Sequence, residues 1–207
     1  MQVFVDQNVI PCDGQTPLAA LNIARVMVQH QKRVIIEVRV DGQDWDGDAD
    51  SLVASKPAGT VAFRTAGAKE LVTSAWNDLS ALIAEIGDSQ RATADKLQSG
   101  DVPAAMAELH GVLEAWQIVE RGVREGAALL DIEPEELMAM TGRETLLPTL
   151  VRELKKIQTA VADQSWPDLA DFMIDEMGEM AEAWRLALSE LAEKLSGADG
   201  PGTTGER

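Results

Sequence analysis

Carboxylates are the most abundant side chains here that could do chemistry, and their densest run lies between Asp41 and Asp50. The segment reads DGQDWDGDAD, and alternating acidic residues of this kind are typical calcium ligands. An EF-hand loop that starts at Asp44 needs Gly at its sixth position and Glu at its twelfth. The chain has Ala49 and Ser55 at those positions. We therefore predict no specific calcium site in this loop.

The histidines and the single cysteine do not form a recognisable metal or nucleophile constellation. His110 lies near Glu108 and Glu114 on a predicted helix, an arrangement that resembles half of a carboxylate-bridged metal site. Di-iron bundles need Glu-x-x-His on two helices, and this spacing occurs nowhere in the chain. Cys12 has no neighbouring histidine, and glycine loops of the nucleotide-binding or nucleophile-elbow type are missing. We assign no catalytic, cofactor or metal residues from the sequence.

A stripe of methionine and tryptophan stands out near the end of the chain. Trp166, Met173, Met177, Met180 and Trp184 recur at helical spacing. Methionine adapts to varied apolar partners, and tryptophan is enriched in binding hot spots. Acidic residues on the same predicted helix would surround this apolar ridge, which would suit a basic amphipathic segment of another protein. We predict these five residues as candidate partner-binding residues, with simple core packing as the alternative interpretation.

The charge of the chain excludes some partners. The 35 acidic and 18 basic residues give a net charge of −17. Such a field repels phosphate backbones and anionic lipid, so neither nucleic acid nor a membrane is an expected partner. A single cysteine cannot form an intramolecular disulfide, and no run of about 20 apolar residues or secretory signal occurs. The expected location is therefore cytoplasmic.

Residues 1–66 predict a small α/β module. Residues 1–6 alternate apolar and polar side chains, and residues 9–12 are expected to return as a second strand after a turn at Gln7-Asn8. Thr16 can cap a helix whose first turn contains a proline. The β-branched residues 33–40 predict a long strand that ends at an Asp-Gly hairpin signal.

A final short strand at residues 60–65 completes an order that resembles the ubiquitin-like β-grasp. The resemblance includes a minor helical turn around residues 51–54 and covers about 65 residues. It rests on the order and spacing of the elements. Ubiquitin-like carriers end in an exposed diglycine, whereas this strand continues into Ala66-Gly67-Ala68. A carrier role is therefore not expected.

Residues 67–196 predict an acidic, antiparallel four-helix bundle. Apolar residues recur at steps of three and four over about 69–98, 102–130, 147–161 and 165–195. On the first of these helices, the predicted core stripe runs through Leu71, Ala75, Leu79, Leu82 and Ile86. Ser165 and Asp168 resemble a capping box at the start of the fourth. The Gly- and Thr-rich tail, residues 197–207, is expected to be disordered.

The segment DQSWPDLADF, residues 163–172, resembles a stretch found in uncharacterised bacterial helical-bundle proteins. The size, acidity and four-helix pattern also resemble flagellar and other secretion chaperones, which implies that a client helix could lie in a bundle groove. Together these features favour a non-catalytic interaction or adaptor protein whose acidic bundle docks a partner. A chaperone-like client binder is the first alternative. A carboxylate-based enzyme or metal protein is the second.

Overall fold

The computed structural model describes residues 1–12, 14, 16–45 and 58–197. Within them the chain is α+β, and it divides into two compact units between Leu71 and Val72. The predicted helical turn at 51–54, the acidic loop beyond Trp45 and the tail from residue 198 lie outside the described residues.

The first unit contains a mixed sheet with the strand order β2-β1-β5-β3-β4. Its elements are β1 (Gln2–Val5), β2 (Asn8–Ile10), α1 (Pro17–His30), β3 (Arg33–Val40), β4 (Gln43–Asp44) and β5 (Thr60–Gly67). The central strands β1 and β5 are parallel, and the other neighbouring pairs are antiparallel. The strands predicted at the positions of β1, β3 and β5 are thus confirmed and lie in one sheet. The helix predicted at the position of α1 is confirmed as well.

The turns and caps of this unit follow local residue chemistry. Asp6 and Gln7 both adopt positive φ, so the β1–β2 turn lies one residue earlier than predicted. Asp41 and Gly42 form the predicted β3–β4 turn, also with positive φ. Thr16 caps α1 as predicted, because its hydroxyl accepts a hydrogen bond of 3.3 Å from the amide of Ala19.

Alternation along the strands gives the sheet one core face. Val3 and Val5 of β1 are in register with Val61 and Phe63 of β5, and all four are buried. They form one cluster with four buried residues of α1, which are Ala20, Leu21, Ala24 and Val28. The residues between them, such as Phe4, therefore belong to the opposite face of the sheet.

A network centred on Asp6 joins three strands at one end of the sheet. Its carboxylate accepts hydrogen bonds from the Thr65 amide (2.8 Å), the Thr65 hydroxyl (2.5 Å) and the Arg33 guanidinium (3.3 Å). Arg33 also donates to the hydroxyl and the carbonyl of Thr65. The hydrogen bonds from Thr65, followed by the charge of Arg33, hold the pKa of the Asp6 carboxyl below its usual value.

The second unit is helical. Its elements are α2 (Ala68–Gln98, whose first residues belong to the first unit), α3 (Val102–Leu130), α4 (Pro134–Ala139), α5 (Leu146–Ala162), α6 (Trp166–Ile174) and α7 (Glu176–Gly197). Asp101 caps α3 by accepting a hydrogen bond from the amide of Ala104. Asp131 ends the same helix in the left-handed conformation.

The predicted fourth helix differs from expectation at two points. It is interrupted at Asp175, where ψ is −75°, although the amide of Asp175 still bonds to Asp171 and that of Glu179 to Asp175. The predicted capping box does not form, because the Ser165 hydroxyl donates to the Asp168 carboxylate and makes no cap to the backbone.

Close contacts connect α2 and α3. A Cβ added to Gly122 would lie 2.7 Å from a methyl group of Leu79, and one added to Gly126 would lie 2.8 Å from the Trp76 indole nitrogen. Residue numbers rise along α2 as they fall along α3, so the two helices are antiparallel. Ser80 of α2 also lies 3.4 Å from Ser189 of α7, hydroxyl to hydroxyl.

We predict that Gly126→Ala destabilises the protein. Alanine gains about 1 kcal/mol of helix propensity over glycine, but overpacking against the buried Trp76 ring costs about 1–3 kcal/mol. Gly111→Ala is the matched control on the same helix, because its Cβ would meet nothing within 4 Å. Urea denaturation should show a loss for the first variant and a gain of up to about 1 kcal/mol for the second. Equal gains would contradict the close approach.

We predict that Asp6→Asn lowers the free energy of unfolding at pH 7 by about 1–2 kcal/mol. Hydrogen bonds to a charged group contribute about 1.5–3 kcal/mol, and the one-third exposure of the Asp6 and Arg33 side chains screens part of that. The folded pKa of Asp6 is lowered, so its contribution is complete above the unfolded pKa and is lost as pH falls through the folded value. The variant should therefore lose less stability than the wild type between pH 5 and 3. Asp44→Asn, at an exposed pair with Arg39, is the control, and an equal effect there would rule out the network.

Candidate functional site

The structure places the predicted methionine and tryptophan stripe in the core. Met173, Met177 and Trp184 are completely buried, Met180 is 6% exposed, and Trp166 is partly buried against the same cluster. The stripe lies on the inner side of α6 and α7, where the Trp184 ring meets Trp116 edge-on with centroids 6.3 Å apart. Four of these side chains therefore add almost nothing to the surface, Trp166 stays partly exposed, and the outer side of the two helices is the part most open to a partner.

That outer side carries a row of exposed carboxylates with two exposed apolar side chains beside them, and we call this surface the acidic face. It consists of Asp171, Ile174, Asp175, Glu179, Glu182 and Leu186. Glu182 pairs with Arg185 at 2.7 Å, whereas the other three carboxylates have no ion-pair partner among the described residues. Ile174 and Leu186 are large apolar side chains that are 43% and 39% exposed. The acidic face thus combines unpaired negative charge with exposed apolar surface.

A second feature is a cavity of about 560 Å³ beside α5, which we call the α5 cavity. Its lining residues are Arg152, Lys155, Lys156, Thr159, Ala160, Asp163, Ser165 and Asp168. The three cations lie along the middle of α5, and we call this part of the lining the positive wall. The two carboxylates lie near the turn into α6, and we call that part the negative wall.

A buried carboxylate forms ion pairs with two of the three cations of the positive wall. Glu153 is 5% exposed, and its two oxygens lie 2.7 Å from Arg152 Nη2 and 2.6 Å from Lys156 Nζ. Lys156 Nζ also lies 5.3 Å from the centre of the Phe172 ring. Burial alone raises the pKa of the Glu153 carboxyl, but the hydrogen bonds and charges of Lys156 and Arg152 outweigh it and lower that pKa. Glu153 therefore stays ionised at neutral pH and holds both cations.

The first unit has a cavity of about 480 Å³ on its sheet, where Phe4, Ala62 and Arg64 contribute to the lining. Glu37 forms ion pairs with two arginines there. Arg39 Nε lies 2.7 Å from one of its oxygens, and Arg64 Nε lies 3.1 Å from the other. Asp6, the remaining charged lining residue, pairs with Arg33, so each charge of this cavity has an ion-pair partner. The α5 cavity differs in that two of its charged side chains have none among the described residues.

The described residues contain no group of three or more His, Cys, Asp or Glu side chains placed to hold a metal. His110 is 75% exposed and lies 3.3 Å from Glu114 across one helical turn. In the acidic loop, Asp41 accepts a hydrogen bond of 2.7 Å from the Thr60 amide, and Asp44 pairs with Arg39. The other aspartates of that loop lie outside the described residues.

No family model, curated protein or solved structure matches this chain. In the part of the chain that the structure describes, no helix has both the length and the apolar character needed to cross a membrane. Functional inference therefore depends on the surfaces themselves.

The residues of the α5 cavity were missed by sequence reasoning. Each one taken alone is typical of the solvated side of an amphipathic helix. A usable signal was the presence of three basic residues within positions 152–156 of a strongly acidic chain. The contribution of Asp168 could not be inferred in this way, because it depends on how α6 folds back beside α5.

We predict that Glu153→Gln lowers the free energy of unfolding at pH 7 by about 1–3 kcal/mol. A buried carboxylate loses two charged partners, but both cations are more than half exposed, which keeps the cost below that of a fully buried pair. Chemical denaturation should show a clearly smaller change for the control Glu182→Gln, because both members of its pair with Arg185 are solvent-exposed and water screens their attraction. Similar small changes in both variants would contradict the structural role of Glu153.

Proposed function

We propose that this protein is a non-catalytic interaction or adaptor protein whose helical unit docks a basic amphipathic segment of another protein on the acidic face. The observation that carries the proposal is the spacing of Asp171, Asp175 and Glu179. These exposed carboxylates follow one another at four-residue steps and form no ion pair with the described residues.

Like charges four residues apart destabilise a helix by about 0.2–0.5 kcal/mol per pair. A partner that brings lysine or arginine to this face would replace that repulsion with attraction. Negative charge would also speed the encounter with a basic partner. Ile174 and Leu186 beside the carboxylates would supply the apolar contact that an interface needs at its centre. Docking thus makes use of both properties of the acidic face.

We infer that the first unit is a ubiquitin-like β-grasp. The support is its strand order, its parallel central pair β1–β5 and the helix that packs on one face of the sheet. Proteins with such sheets commonly serve as binding modules, which fits an adaptor, although fold alone does not establish function.

We infer that the second unit is an antiparallel four-helix bundle formed by α2, α3, α5 and the α6–α7 pair. The antiparallel contacts of α2 with α3 and the contacts of α7 with both helices support this arrangement. We also propose a cytoplasmic location, which the single cysteine supports, since a reducing compartment requires no disulfide.

We predict that neutralising the acidic face removes partner capture. The test compares full-length wild type with the triple variant D171N/D175N/E179Q in affinity capture from source cells, read by mass spectrometry. A partner should be retained at about 0.1 M salt and released at about 1 M, where the screening length falls from ~10 Å to ~3 Å. The triple variant should fail to retain it at either concentration.

The matched control is D78N/E85Q/E125Q, which changes the net charge equally at exposed positions of α2 and α3. It should capture the partner as the wild type does, and neither triple variant should unfold at a lower urea concentration than the wild type. If the control loses the partner to the same extent, general charge and not the acidic face governs binding. Unchanged capture by D171N/D175N/E179Q would refute the proposal.

A further inference from the structure

The α5 cavity has two charges that the fold itself does not use. Arg152 and Lys156 are held by Glu153, and the Asp168 carboxylate accepts the Ser165 hydroxyl. Lys155 on the positive wall and Asp163 on the negative wall have no hydrogen-bond or ion-pair partner for their side chains among the described residues. An ammonium group and a carboxylate of opposite sign therefore remain free in one cavity.

The spacing of these charges sets the size of a ligand that could contact both. Asp163, the residue that caps the end of α5, is eight positions after Lys155, which is about 12 Å along the helix axis. Flexible side chains shorten the gap that a ligand must bridge. The cavity volume of about 560 Å³ lies within the usual range of about 300–1,000 Å³ for small-molecule sites.

The positive wall has the chemistry of a phosphate site. Arg152 uses Nε and Nη2 on one oxygen of Glu153, which leaves Nη1 available. The Lys155 ammonium adds further donors, and so does the solvent-facing side of the Lys156 ammonium. Charge-assisted hydrogen bonds from such groups are the ones that hold phosphate most strongly. Because Glu153 fixes two of the three cations, the wall is pre-organised before a ligand arrives.

We infer that the α5 cavity binds a small phosphate ester that also carries an amine. The phosphate lies against Arg152, Lys155 and Lys156, and the ammonium end faces Asp163. A purely anionic ligand would meet repulsion from the two carboxylates at the far wall, whereas a zwitterionic one finds opposite charge at both ends. This site is separate from the acidic face and does not depend on partner docking.

Two sugar phosphates that differ in one group provide the probes. Glucosamine 6-phosphate and glucose 6-phosphate are titrated into the full chain at low salt, with inorganic phosphate as a third probe, and binding is measured by calorimetry. We expect the amine-bearing sugar to bind more tightly than glucose 6-phosphate, and inorganic phosphate to bind most weakly. Lys155→Gln should weaken both sugar phosphates by about tenfold, as loss of a charge-assisted bond implies. Asp163→Asn should abolish the preference for the amine.

Arg121→Gln is the control, since it removes an exposed cation from α3 outside the cavity, and it should change no affinity by more than about twofold. Lys155, Asp163 and Arg121 are all exposed, so their substitution should leave the fold intact. Unfolding curves that match the wild type verify this. Absence of binding by either sugar phosphate at 10 mM overturns the inference. So does binding that Lys155→Gln leaves unchanged. Binding that depends on Lys155 but shows no preference for the amine overturns the assignment of the ammonium end to Asp163.

Discussion

The helical unit depends on the burial of three tryptophans. Trp76, Trp116 and Trp184 are all completely buried, and none of their indole N–H groups has a hydrogen-bond partner within the described part of the chain. Each unpaired donor costs about 1–3 kcal/mol, so apolar area and shape must outweigh that cost. The glycines at positions 122 and 126 make the required shape possible, because α3 has no side chain where Leu79 and Trp76 of α2 press against it.

This core determines which surfaces are left for function. The methionines of α6 and α7 fill space beside Trp184, so the same helices must turn their carboxylates outward. On α5 the buried Glu153 is the exception, since it brings a negative charge inward and holds two cations at the rim of a cavity. Negative charge on one helix surface and positive charge on a neighbouring one thus follow from a single packing arrangement. The two surfaces can serve different ligands.

Much of the fold was predictable from the sequence, because local signals agreed with the tertiary structure. Strand alternation, the cap at Thr16 and the cap at Asp101 specify where elements begin. The core face of α2 was predicted less well. Of the predicted stripe, Leu79 and Ile86 are buried as expected, but Leu71, Ala75 and Leu82 are not. At those three places the structure buries the residue one position later, which is Val72, Trp76 or Ile83. Two apolar diagonals run side by side on this helix, and periodicity alone does not decide which one faces the core.

The candidate sites were harder to predict for a related reason. A stripe of methionine and tryptophan has the same spacing whether it packs inward or binds a partner, and only the neighbouring helices decide between the two. The break at Asp175 could not be predicted, because no proline lies at that point of the sequence. The α5 cavity joins residues from a helix, a turn and the next helix, so its lining is complete only when α6 packs beside α5.

The distribution of tryptophan has a practical consequence for spectroscopy. The first unit contains only Trp45, while Trp76, Trp116, Trp166 and Trp184 belong to the second. Indole rings shielded from water emit at shorter wavelengths than hydrated ones, so the intrinsic fluorescence of this chain reports mainly on the helical unit. Selective excitation of tryptophan therefore follows the melting of the helices, whereas infrared bands of the sheet follow the first unit. The chain thus carries separate optical reporters for its two parts without any added label.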